Sequence, residues 1–136
     1  MIQILPLALV AIGLAACAKV ATTAATDGKL SSLAGSEWGP ADGSDLFVQF
    51  KAKGEMSGFA GCNNFFGQYE LNGERLVVGP LASTKKACFD RSIMDKERTF
   101  LNSLQDTHHV EATYKTLVLK NANGDVITTL RRRDWD

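Results

Sequence analysis

Short runs of alternating apolar and polar residues recur along the chain after residue 40, and one stretch repeats at helical spacing instead. Phe47, Val48 and Phe50, bounded by Asp45 and Lys51, predict a short strand, and Met56 to Ala60 predict another. Gln68-Tyr69-Glu70 and Arg75-Leu76-Val77-Val78 flank Leu71-Asn72-Gly73-Glu74. The Asn-Gly pair there favours the positive φ angles of a type I′ hairpin turn. Thr116 to Leu119 and Val126 to Leu130 flank Asn121-Ala122-Asn123-Gly124-Asp125, a second hairpin whose longer loop leaves room for a bulge. His109 to Tyr114 predict a further strand.

Between the hairpins Ile93, Phe100, Leu101 and Leu104 fall on one helical face, with Asp90 or Ser92 placed to cap it. Glu97 lies in the same apolar sector. A carboxylate facing a core costs free energy unless it is paired or hydrogen-bonded. Glu97 is therefore expected to be a structural buried carboxylate that reaches backbone amides, Thr84 or the lysines near position 85. Strands in hairpins with one amphipathic helix define an α+β class: a curved, mainly antiparallel β-sheet packed on one principal α-helix. No internal repeat is evident.

The start of the chain follows another logic. Residues 1–16 are almost wholly apolar but too short for a membrane-spanning helix, which needs roughly 20 residues. They suit the hydrophobic region of a signal peptide. Leu14-Ala15-Ala16-Cys17 resembles a bacterial lipobox, in which the cysteine thiol is acylated and cleavage occurs just before it. No Lys or Arg precedes the hydrophobic region, so the signal is weakly charged or the start lies upstream. The expectation is lipidation at Cys17, and the absence of Asp at position 18 favours the outer membrane, facing the periplasm. Residues 17–33, rich in Ala, Thr and Ser, are expected to be a tether with a reach of roughly 20 Å.

Charge narrows the partners. The 136 residues hold 15 basic and 15 acidic side chains, a zero balance that argues against a general nucleic-acid binder. The run Arg131-Arg132-Arg133 reads as a solvated strand end or, more sharply, as a contact for anionic lipid headgroups. The expected partners are a membrane, through the lipid anchor, and another envelope protein. The chain is expected to be a monomer with no cofactor.

With Cys17 acylated, Cys62 and Cys88 remain. An even pair in an oxidising compartment suggests a disulfide, which would stabilise the fold by about 3 kcal/mol. Two buried free thiols are the alternative. A thiol enzyme is another, with Cys62 as nucleophile, His108 or His109 as base and Asn63 as orienter. Nothing in the sequence brings those residues together, so no catalytic residue is assigned. Asp106, His108 and His109 make a weak metal set, because neighbouring strand residues point to opposite faces.

The stretch Met56-Ser57-Gly58-Phe59-Ala60-Gly61-Cys62-Asn63-Asn64-Phe65-Phe66-Gly67-Gln68-Tyr69 resembles the signature of the META domain, or HslJ-like, family. Thr84-Lys85-Lys86-Ala87-Cys88 resembles its second mark, with Lys86 where the family often has Met. Glu97, Phe100 and Leu104 match the third, and Trp38 the early tryptophan. The resemblance assigns residues 34–133 to a META-like domain and implies an antiparallel sheet with a packed helix. It also implies associations with heat shock, antibiotic tolerance and envelope maintenance, and no catalytic residues. The residues themselves leave two readings of Gly61, Asn63, Asn64, Phe65 and Gly67: a binding surface, or demanding turn geometry. The resulting expectation is a non-enzymatic envelope lipoprotein, with a small inhibitor of an envelope-directed hydrolase as the alternative.

Overall fold

The computed structural model describes residues 28–134. The expected signal peptide, the acylated Cys17 and most of the expected tether lie outside the described residues. Nine strands and one α-helix, with a single 3-10 turn at Ala52–Gly54, follow in the order β1 Ser36–Gly39, β2 Phe47–Phe50, β3 Glu55–Phe59, β4 Asn64–Asn72, β5 Arg75–Val78, β6 Ala82–Ser83, α1 Arg91–Gln105, β7 His109–Ala112, β8 Thr116–Lys120 and β9 Val126–Arg132.

Every pairing is antiparallel. The strand order is β3-β2-β1-β9-β8-β7-β5-β4-β6, and β3 also pairs with β4. The sheet is the expected curved antiparallel one, and its curvature goes to closure: eight strands form a ring, with β6 added alongside β4. Closure removes the long unpaired edges that an open sheet would expose.

Alternation explains which side chains fill the ring. Val48, Phe50, Met56, Phe65, Leu76, Val110, Leu117, Leu119 and Leu130 are buried, with polar or half-exposed residues between them. Trp38 is fully buried, and its indole N–H donates to Ser36 Oγ at 2.6 Å. Ser36 in turn donates to the Leu33 carbonyl at 2.5 Å, so both polar groups are satisfied inside the core. Phe50 and Tyr69 meet edge to face at 4.9 Å.

The hairpins form where the sequence places them, with one shift. Asn72 pairs with Arg75, so the two-residue loop is Gly73-Glu74 rather than Asn72-Gly73. Only Gly73 has positive φ there, which is the type II′ pattern rather than type I′. The second hairpin carries the expected irregularity, a register shift at Leu119/Lys120, and Asn121 Oδ1 accepts the amides of Asn123 and Asp125.

The folded body begins earlier than the pattern predicts. Residues 29–33, read as the end of a tether, are fastened to the sheet. Lys29 bridges to Thr113, the Leu30 amide donates to Ala112 O, and Leu33 is buried in the core. Two leucines amid small polar residues make no periodic signal, but each fills a gap. The arginine run is also more engaged than a solvated strand end. Arg132 pairs with Asp134 at 2.7 Å and lies over the Trp38 and Tyr114 rings, and Arg133 donates to Leu46 O at 2.9 Å.

Candidate functional site

The three sequence marks meet at one place, where the β3–β4 turn, the segment after β6 and helix α1 converge. Helix α1 starts at an Asp90 cap whose carboxylate accepts the Ser92 amide at 2.8 Å. The helix buries Glu97, Phe100 and Leu104 along one face. Phe100 meets Phe65 of β4 edge to face at 6.1 Å, which fixes the helix against the turn.

Glu97, only 7% exposed, is directed at the turn residues 62 and 63. Its Oε2 accepts the amides of Cys62 at 3.1 Å and Asn63 at 2.7 Å, and its Oε1 accepts Asn63 Nδ2 at 2.9 Å. The carboxylate thus reaches backbone amides, as expected, but neither Thr84 nor a lysine ammonium touches it directly.

Asn63, 3% exposed, is the second hub. Its Oδ1 accepts Thr84 Oγ1 at 2.9 Å and the Lys86 amide at 2.7 Å. Its Nδ2 donates to Lys86 O at 3.1 Å as well as to Glu97. The amide side chain uses its full donor and acceptor capacity. Thr84 Oγ1 also accepts the Asn64 amide at 3.2 Å. The Cys62–Cys88 disulfide closes the same knot, with 6.1 Å between the Cα atoms.

The glycines fit this geometry. Gly61 has φ of 116°, a conformation side-chain-bearing residues rarely adopt. A Cβ at Gly58 would sit 2.0 Å from Phe47 O and 2.6 Å from the Phe65 ring. Of the five residues offered as a binding surface, Asn63 and Phe65 are buried, and only Asn64 is exposed. The motif is an internal clamp, and demanding turn geometry accounts for it.

The other candidates do not assemble. Cys62 is bonded to Cys88, so it presents no thiol. His108 Nδ1 lies 3.1 Å from Asp106 O, and His109 stands on β7 opposite Lys120 and Arg75. Among the described residues no three His, Cys, Asp or Glu side chains come together as a metal site. A groove of about 320 Å³ runs between α1, β9 and the loop after β1, floored by Leu46, Phe100 and Leu130 and rimmed by Asp42, Lys96 and Thr128. Its volume is at the lower end for ligand sites. Sequence reasoning missed it because its walls come from three distant segments.

The sequence profile of the META domain matches residues 21–134. No curated protein matches the chain. Among solved structures, an NMR structure of a protein from Burkholderia xenovorans is similar at 24% identity and a TM-score of 0.61, over 75% of this chain and 84% of that one. A second NMR structure of a protein is similar at 22% identity and a TM-score of 0.53, over 72% and 87%. A crystal structure of a DUF4847 family protein from Bacteroides vulgatus is similar at 14% identity and a TM-score of 0.53, over 68% and 62%. At these identities the structural likeness speaks for the fold alone. The clamp joins in space the three marks read from the sequence, and the profile match spans most of the chain: the chain belongs to the META domain family.

Proposed function

We propose that the chain is a non-enzymatic lipoprotein of the bacterial cell envelope, held through acylated Cys17 at the periplasmic face of the outer membrane. In this reading it supports envelope integrity under stress by binding another envelope component. The observation that carries the reading is the Cys62–Cys88 disulfide. Such bonds persist in the periplasm and are rare in the cytosol. The bond also occupies the thiol that nucleophilic chemistry would need. Glu97, which accepts the Cys62 amide, and the adjacent Asn63 spend their hydrogen bonds on the fold.

Intact mass of the protein extracted from membranes tests the anchor and the staple together. The expected species is residues 17–136 plus acyl chains, gaining two hydrogens on reduction. A chain without acyl groups, or one with free thiols, overturns the reading. Deletion of the gene is expected to lower survival in detergent and envelope-directed antibiotics, and unchanged survival across such stresses sinks the envelope role.

A further inference from the structure

Phe89 is fully exposed, the most exposed of the large apolar side chains among the described residues. A single exposed apolar residue is ordinary on a protein surface. Two features set this one apart. First, it stands on a braced corner. Cys88, before it, is bonded to Cys62, and Asp90, after it, caps α1. A side chain on a backbone so held gains little freedom by being left in water.

Second, the corner is cationic. Lys85, Lys86 and Arg91 are all exposed, and their side chains make no ion pair or hydrogen bond among the described residues. Lys86 bonds only through its backbone. Of the acidic neighbours, Asp95 pairs with Arg98 at 3.6 Å, and Asp90, bonded to the neutral Ser92, keeps its charge, so three cations stand against one carboxylate. An exposed aromatic ring beside unpaired cations is the chemistry of an interfacial membrane contact. The ring enters the boundary between headgroups and acyl chains, and the cations meet anionic headgroups.

The geometry allows it. Lys29, where the described chain begins to pack, pairs with Glu74 just past the end of β4, and the corner is fastened at the start of β4 through Asn63 and Asn64. Nine residues of strand span about 30 Å. The 12 residues from Cys17 to Lys29 reach at most about 40 Å. We propose that the corner of Lys85, Lys86, Phe89 and Arg91 docks on an anionic phospholipid surface, so that the domain lies on the bilayer instead of hanging from its tether. The link to the anchoring membrane rests on the lipoprotein reading; the lipid contact itself does not.

The test uses the mature chain with Cys17→Ala, oxidised, so that no acyl chain contributes. It is mixed with vesicles of phosphatidylethanolamine and phosphatidylglycerol, and separately with phosphatidylcholine vesicles. Binding is expected to the anionic vesicles only and to weaken as salt rises. Phe89→Ser is expected to lower the apparent affinity about tenfold. Lys85→Gln and Lys86→Gln should each lower it about fivefold. The emission of Phe89→Trp should shift to the blue on anionic vesicles relative to the unsubstituted chain. Equal binding to both vesicle types, no binding, or full binding by Phe89→Ser overturns the inference. Because Phe89 packs on nothing, a melting temperature equal to the parent's certifies each variant. An unacylated native protein defeats the lipoprotein reading and leaves the vesicle result standing. Absent vesicle binding beside an acylated Cys17 defeats this inference alone.

Discussion

Glu97 is the buried charge at the centre of the clamp. Three N–H groups point at one buried carboxylate, two of them from the backbone of a turn that no strand partner satisfies. Removing the acceptor strands those donors in the core, and hydrogen bonds to charged groups are the expensive ones to break. Glu97→Leu is expected to destabilise the domain by about 3–5 kcal/mol. That is a melting temperature lower by more than about 10 °C. Glu97→Gln keeps an acceptor oxygen and should fall between Leu and the parent. Thermal melts followed by circular dichroism decide the matter; a parent-like Glu97→Leu would mean that the clamp carries no weight. Gly58→Ala tests shape instead of charge at the same turn. Its methyl meets a backbone oxygen, which cannot swing away as a flexible side chain can, so soluble folded protein should be lost or sharply reduced.

Elements that were legible in the sequence are those whose signal is local. The second hairpin and α1 announce themselves through turn residues and period, and Asp90 caps where a capping residue was expected. What was not legible depends on distant partners. Strand β1 reads Ser-Glu-Trp-Gly, with three of its four residues buried, so no alternation marks it; β6 is two residues long. Glu97's need for donors was readable from its position on the apolar face. That the donors would be Cys62 and Asn63, more than thirty residues away, was not. The cap offers a pH test at this scale. The Ser92 hydroxyl and then its amide hold the Asp90 carboxyl below the usual aspartate range. A group with a depressed folded pKa contributes stability that is present above its unfolded value and lost as pH falls through the folded one. The melting temperature should therefore decline below about pH 4. Asp90→Asn keeps a good cap but has no proton to take up, so its decline should be shallower. Identical pH profiles for the two proteins would show that this carboxylate does not contribute.

Across the whole molecule the ring is held unevenly. Five residue pairs join β8 to β9, and five join β3 to β4. The β5–β7 seam has one register pair, Arg75 with His109, extended by the Leu76 amide to His108 O and the Val110 amide to Glu74 O. Lys29 pairs with Glu74 beside that seam, so the segment before β1 braces the weakest joint of the ring. The disulfide lies elsewhere, at the β3–β4 turn. Reducing it, or replacing both cysteines by serine, removes about 3 kcal/mol by loop entropy. The melting temperature should fall by roughly 10–20 °C. Such a change should lower the protection of slowly exchanging amides throughout the ring, because those exchange by global opening. The seam should behave differently. In native-state hydrogen exchange the amides of Leu76 and Val110 are expected to open at lower free energy than Leu117 and Leu119, and to be nearly indifferent to reduction. Removing the brace with Lys29→Ala should speed exchange at the seam while leaving the β8–β9 pair unchanged. Uniform protection around the ring would show instead that eight short strands open only together, with closure itself, and no single joint, setting the stability of the domain.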